Sequence, residues 1–139
     1  VGCGKGFMLH DFKKANPNFN VEGIDISKYA IENAIPEVKF FLNIGDAKKL
    51  NYEDNTFDLV ISITTVHNLD LIECKKAIME IERVSRKHKF LTVDAYSNDK
   101  EKELMHSWNL TAKTILHTEE WKKLFLEIKY TGDFFWFKP

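Results

Sequence analysis

The sequence is poor in cysteine, proline and glycine, with two, three and six of them in a chain of 139 residues. Cys3 and Cys74 lie far apart and form no CxxC pair. That excludes a disulfide-built scaffold and a cysteine metal centre, and both read as reduced thiols of a cytoplasmic protein. An excess of charge of either sign is also absent: 20 Lys and Arg stand against 21 Asp and Glu, a net charge of −1. The basic footprint with which proteins hold nucleic acid is therefore missing, and the balance favours a small-molecule partner. No apolar run approaches the roughly 20 residues that span a bilayer, so no membrane role is expected. Repeats and low-complexity linkers are missing too, and residues 1–139 read as one domain with chain enough to bury a core.

What the chain does contain is concentrated at its start. Three of the six glycines fall in Val1-Gly2-Cys3-Gly4-Lys5-Gly6, ahead of a segment from Phe7 able to begin a helix with Phe7, Met8 and Phe12 inward. Alternating glycines let the backbone turn sharply and let a ligand approach without meeting Cβ atoms. A glycine turn feeding a helix N-terminus suits a phosphate or carboxylate, although the same turn is common where nothing binds. Such a loop follows a buried strand, of which only Val1 is present. The sequence thus reads as lacking a first strand and a preceding helix.

Strand and helix then alternate. A strand over Phe19–Ile26 ends in Asp25, and Ser27 caps a helix running to about Ala34 that buries Ala30, Ile31 and Ala34. A strand over Val38–Leu42 leads to Ile44-Gly45-Asp46-Ala47 and a polar loop. Phe57–Ile63 is nearly continuously apolar, the pattern of a central parallel strand covered on both faces. Asp70 caps the clearest helix, with Leu71, Cys74, Ile78, Ile81 and Val84 on one face and Arg83, Arg86 and Lys87 at its end. Strand Lys89–Ala95, a helix near Glu101–Leu110 and a helix capped by Thr118 with Trp121, Leu124, Phe125 and Ile128 inward follow. The chain closes in an aromatic strand, Tyr130 to Phe137, ending at Pro139. Alternation sends Phe134 and Trp136 to one face and Phe135 and Phe137 to the other, with both faces buried. A shortened sheet edge there would instead leave aromatics exposed for self-association. This order predicts an α/β fold, a doubly wound, mostly parallel sheet with helices on both faces.

In such sheets ligands bind beyond the carboxyl ends of the strands. The residues there are Gly2, Gly4 and Gly6, Asp25, Asp46, the segment Thr64–Asn68, and Asp94. Asp25, about twenty residues past the glycines, is placed to accept both hydroxyl hydrogens of a ribose, or else only to start the helix at Ser27. Asp46 is placed to accept from an adenine amine, or is a turn aspartate after Gly45. His67 is a candidate base because imidazole titrates near neutrality, and Asp94 is a candidate for orienting a substrate or a plain loop cap. Tyr96, His106 and Trp108 line a pocket or belong to the core. No metal site is expected.

Four passages, in this order and spacing, resemble the class I S-adenosylmethionine-dependent methyltransferases over almost the whole chain. Val1–Gly6 is similar to their cofactor loop and Gly23–Ser27 to their ribose-binding strand end. Gly45-Asp46-Ala47 is similar to their adenine-contacting element, and Asp54–Val60, with its Phe57-Asp58 pair, to the entry of their fourth strand. The resemblance implies a Rossmann-like sheet and S-adenosylmethionine as cofactor. It places Gly2, Cys3, Gly4 and Gly6 along the methionine portion and Asp25 on the ribose. Ile26 lies on the adenine ring, Asp46 and Ala47 at its edge, and Ile63 and Thr64 by the sulfonium. It also implies transfer of a methyl group to an acceptor by in-line displacement, with His67 or Asp94 assisting. The family's acidic residue ahead of the loop falls before Val1. Its sheet ends in an antiparallel hairpin, for which few residues remain here. Two other functions use similar parts. A dinucleotide oxidoreductase carries GxGxxG, where this chain has Phe7 at the third glycine. A non-catalytic module would keep the fold and cofactor without transferring anything.

Overall fold

The computed structural model describes residues 1–138 and arranges its strands in two parallel sheets. In the first, β1 (Gly23–Asp25) pairs with β2 (Leu42–Ile44). In the second, β3 (Phe57–Ile63) pairs with the long β4 (Ser85–Tyr96). The other edge of β4 carries β6 (Asp133–Phe137) and, beyond it, the two-residue β5 (Leu116–His117). The helices are α1 (Phe7–Ala15), α2 (Lys28–Glu32), α3 (Leu71–Val84), α4 (Asp99–Trp108) and α5 (Thr118–Glu127). The expected α/β class and mostly parallel, doubly wound layout are both present.

The two sheets face each other across a gap. Among the described residues no hydrogen bond joins β1 to β3 directly; residues 1–3 bridge them by hydrogen bonds, and Ile24 of β1 shares the main core with Val60 of β3. The Val1 nitrogen donates to Ile61 O at 2.8 Å, and the Gly2 and Cys3 amides donate to Ile24 O at 2.8 and 3.0 Å. Between these edges runs a groove of about 1000 Å³, which Phe7, Met8 and Phe12 of α1 help line. This explains why Phe7 and Met8 are exposed while Leu9 is the buried residue of α1, a reversal of the sequence expectation. It also leaves β3 paired on one edge, with Leu59 exposed, where a strand covered on both faces was expected.

Packing follows the periodicities. Cys74, Ala77, Ile78, Ile81 and Val84 of α3 meet Leu91, Val93 and Ala95 of β4 together with Trp121, Leu124 and Phe125 of α5. Each large aliphatic side chain so buried contributes about 1.5–3 kcal/mol. A second core under β1 and β2 joins Leu9, Ile31, Ala34, Val38 and Leu42. Arg83 fixes the loop between the sheets to α3. It donates to Glu80, to Asp54 and to the carbonyls of Leu50 and Tyr52, while Glu80 accepts the Leu50 amide.

Several boundaries differ from the sequence reading. The strand expected over Phe19–Ile26 shrinks to three residues. Lys39–Phe41 forms a 3-10 turn with Phe40 96% exposed, and the strand begins only at Leu42. Leu71 is exposed on the outer side of α3, and Arg86 and Lys87 belong to β4. The cap of α5 is His117, not Thr118: its Nδ1 accepts the Glu119 amide while Glu120 accepts the His117 amide. β6 runs parallel to β4, with no hairpin among the described residues, and Phe134 and Trp136 share the face that packs on Phe125, as the alternation predicts. Burial on both faces does not hold, because Phe134, Phe135 and Phe137 stay exposed at the sheet edge. Glu82 anchors the approach to β6 by accepting from Lys89 Nζ and from both the amide and hydroxyl of Thr131. Pro139 lies outside the described residues.

Candidate functional site

The carboxyl ends of β1, β2 and β3 converge on the glycine loop, and the three glycines do different things there. All have positive φ, at 71°, 53° and 85° for Gly2, Gly4 and Gly6. A Cβ on Gly2 would lie 2.1 Å from Thr65 Oγ1, so this glycine lets the loop press against the turn after β3. A Cβ on Gly6, the residue that starts α1, would meet Val38 and Leu42 at 2.9 Å; this glycine belongs to the packing of the second core. A Cβ on Gly4 would meet nothing within 4 Å. Gly4 alone faces open space, which is where a ligand can approach the backbone. Cys3 points towards Gly23 and Leu42, and burial pushes its thiol up to about 11.

Asp25 lies opposite Gly4. Its Oδ2 accepts the Gly4 amide and its Oδ1 accepts the Ser27 amide, each at 2.8 Å. One carboxylate thus ties the loop to the start of α2, where Ser27 caps by accepting from Ala30. Each oxygen keeps a further lone pair for a ligand. Ile26, next to it, is 72% exposed, an apolar surface left uncovered at a strand end. Asp46 follows β2, with Oδ1 on the Lys48 amide and Lys48 Nζ 3.5 Å from Oδ2. Lys48 in turn is held by Glu73. Ala47 packs beside the main core. These residues fit a nucleoside: a cradle free of Cβ, a ribose-sized acceptor, an apolar platform and a second carboxylate.

β3 ends at Ile63, and Thr64 follows with φ 48°. A β-branched residue held in the left-handed region stores about 1–3 kcal/mol, and such strain collects at functional sites. The turn that imposes it is heavily tied. The Thr64 amide donates to Thr92 O at 3.1 Å, Thr65 Oγ1 to Ile63 O, and Asn68 Nδ2 to Thr64 O. His67 closes it from below. Only 3% exposed, it accepts the Asp94 amide on Nδ1 at 3.0 Å, and its Nε2 stands 3.8 Å from Asp94 Oδ1. Its own carbonyl accepts the amides of Lys113 and Thr114. The structure therefore joins Gly4 to Asp25, Gly2 to Thr65, and His67 to Asp94, while Tyr96, His106 and Trp108 lie elsewhere. Tyr96 packs edge-on to His117 and Trp108 to Phe137, and His106 is exposed on α4.

Burial holds the His67 pKa below its ordinary value, against the opposing pull of Asp94. A histidine neutral in the folded state contributes stability that is full above about pH 6.5 and is lost as pH falls towards its folded pKa. Asparagine in its place offers Oδ1 to the Asp94 amide and does not titrate. His67→Asn is expected to be less stable than the parent at pH 7.5 and to regain ground on it as pH falls through 6.5. Paired urea melts from pH 5 to 8 check this; a constant difference between the two proteins contradicts it.

The groove of about 1000 Å³ reaches this site at Gly2, Cys3 and Ile63 but leaves Gly4, Asp25, Asp46 and Thr64 outside its lining. It opens along Asn20–Glu22 and Phe57–Leu59, towards the amino ends of the strands, whereas the carboxylates and the strained turn lie at the carboxyl ends. A family model described as a methyltransferase domain matches residues 1–132. The chain belongs to the methyltransferase-domain family. S-Adenosylmethionine is the cofactor of that family, and the fit of Gly4, Asp25 and Ile26 to a nucleoside agrees with it. The methyltransferase domain is 24% identical to malonyl-[acyl-carrier protein] O-methyltransferase of Halalkalibacterium halodurans, over 88% of this chain and 51% of that one. It is 32% identical to tRNA (carboxymethyluridine(34)-5-O)-methyltransferase of Arabidopsis thaliana, over 87% of this chain and 29% of that one. It shares its fold with the crystal structure of a SAM-dependent methyltransferase from Archaeoglobus fulgidus, at a TM-score of 0.69 and 21% identity. That match covers 91% of this chain and 57% of the other. The chain thus spans about half or less of the length of these curated relatives.

Some contacts of the site carried no sequence signal. Thr65 falls in the expected segment Thr64–Asn68, but nothing in the sequence pairs it with Gly2, which presses on it. Trp121, read as core, donates its Nε1 hydrogen to Asp94 O at 2.9 Å. The grip of Lys113 and Thr114 on His67 joins residues more than forty positions apart. No helix among the described residues is long and apolar enough to cross a membrane.

Proposed function

We propose that this domain binds S-adenosylmethionine at the carboxyl ends of β1, β2 and β3 and methylates a small-molecule acceptor in the cytoplasm. The observation that carries the reading is the pairing of Gly4, open on its Cα side, with an Asp25 carboxylate already oriented by two backbone amides. When bound, S-adenosylmethionine supplies an activated methyl group on a sulfonium, which is the difficult part of the chemistry.

The protein's part is positioning, worth about 7–11 kcal/mol of a barrier when reacting atoms are well aligned. Asp25 holds the ribose hydroxyls, Ile26 covers one adenine face, and Asp46 with the Ala47 backbone reads the adenine edge. Gly4 admits the methionine portion, with Gly2, Cys3 and Gly6 keeping the loop in shape around it. Ile63 and the strained Thr64 set the floor beside the sulfonium. His67 and Asp94 stand next to that floor, where an acceptor enters. The small, nearly neutral net charge supports a small acceptor over a nucleic acid.

Calorimetric titration with S-adenosylhomocysteine, with NADH as control, tests the cofactor. Binding of the first alone is expected. Equal binding of both, or NADH alone, overturns the reading. Transfer of a labelled methyl group to a panel of amines, alcohols and carboxylates then separates an enzyme from a domain that only holds the cofactor.

A further inference from the structure

Asp94 is a mostly buried carboxylate with no hydrogen bond from the described residues; among these, Ser62 Oγ and Asn68 Oδ1 are the atoms buried completely without a partner. The Asp94 side chain is 8% exposed. Buried carboxylates are ordinarily well supplied with donors, and one that is not calls for an explanation. His67 Nε2 stands 3.8 Å from Oδ1, beyond hydrogen-bond reach.

The backbone around Asp94 is by contrast fully tied. Its amide donates to His67 Nδ1, and its carbonyl accepts from the Trp121 indole. Because Nδ1 accepts, the neutral ring carries its proton on Nε2, the nitrogen turned towards Asp94 Oδ1. The N–H therefore presents its positive end to the carboxylate without occupying it. Asp94 is also close to the cofactor site by construction. It lies two residues beyond Thr92, whose carbonyl holds Thr64, and the turn Thr64–Asn68 that His67 belongs to packs on Gly2.

We propose that Asp94 receives the methyl acceptor: its carboxylate takes a hydrogen bond from an N–H or O–H of the acceptor and holds that proton when it is released, with His67 as positioning residue. The acceptor is accordingly an amine or a hydroxyl compound. The proposal rests on the methyltransferase reading above. Burial, which raises the Asp94 pKa against the opposing effect of His67, makes this carboxylate a better proton acceptor than an exposed one.

Ethylamine and ethanol are the probes, each titrated with and without S-adenosylhomocysteine and read at the Asp94 carboxyl carbon and the His67 Nε2 by NMR. One probe is expected to give a saturable shift at both atoms, and which of the two does so names the donor. In Asp94→Asn the affinity for that probe, read at His67, is expected to fall at least tenfold while S-adenosylhomocysteine binds within about twofold of the parent. A parent protein whose Asp94 carbon responds to neither probe overturns the proposal, whether or not the variant folds. So does a folded Asp94→Asn that keeps the probe affinity. Failure of S-adenosylhomocysteine to bind counts against the methyltransferase reading instead, and the response of Asp94 without it still decides this proposal.

Discussion

Replacing Asp25 by alanine is expected to weaken S-adenosylhomocysteine binding by about a hundredfold or more, from two charge-assisted hydrogen bonds at about 1.5–3 kcal/mol each. The carboxylate is held by the Gly4 and Ser27 amides at 2.8 Å, so it pays little ordering entropy when a ribose arrives. Asp25→Asn distinguishes the two roles of the residue. Its single carbonyl oxygen still accepts one amide, but its NH2 group faces the other amide donor and accepts no ribose hydroxyl. Binding is expected to be nearly as weak as in the alanine variant, with a smaller loss of thermal stability. Calorimetry and a melting curve on the same samples check both. A folded Asp25→Ala with unchanged affinity removes the ribose from the account of this site.

The second large effect separates two glycines that look equivalent in the sequence. Gly2→Ala sets a methyl group 2.1 Å from Thr65 Oγ1 and 2.7 Å from Thr65 Cβ, at a φ of 71°. Left-handed strain of about 1–2 kcal/mol adds to an overpacking cost of about 1–3 kcal/mol, and the turn after β3 must move. Gly4→Ala carries only the strain, since its Cβ meets nothing within 4 Å. Gly2→Ala is therefore expected to lose stability by about 2–5 kcal/mol, and Gly4→Ala by about 1–2 kcal/mol. Cofactor affinity is expected to fall in both, and in Gly4→Ala to fall out of proportion to stability, because the new methyl group stands where the ligand approaches. Urea denaturation and S-adenosylhomocysteine titration give the two quantities. The opposite ranking in stability contradicts the assignment of Gly2 to packing and Gly4 to binding.

The family, the cofactor and the α/β class were legible in the sequence because they rest on local order: glycines before a helix, an acid at a strand end, apolar runs of strand length. The face of α3 and its cap at Asp70 were legible for the same reason, since periodicity of 3.6 and an N-cap act within a few residues. The first helix was misread at Phe7 and Met8 because hydrophobicity cannot distinguish a core from a groove. Phe40 was misread likewise, a β-former placed by a 3-10 turn into solvent. His117 displaced Thr118 as the cap of α5 because its ring nitrogen reaches the Glu119 amide while β5 fixes its backbone.

By itself the sequence determined which residues stand at the strand ends and which chemical types gather there. Those properties depend on order along the chain and on alternation of helix and strand. Only the tertiary structure decided that Gly2 serves packing while Gly4 stays open, that Thr64 is strained, and that His67 is walled in with a neutral ring. It alone left the Asp94 carboxylate mostly buried, with no hydrogen bond from the described residues. Each of these is set by contacts between residues about 25 to 65 positions apart, and by how much space and how many hydrogen-bond partners remain once the sheets and helices have closed on one another.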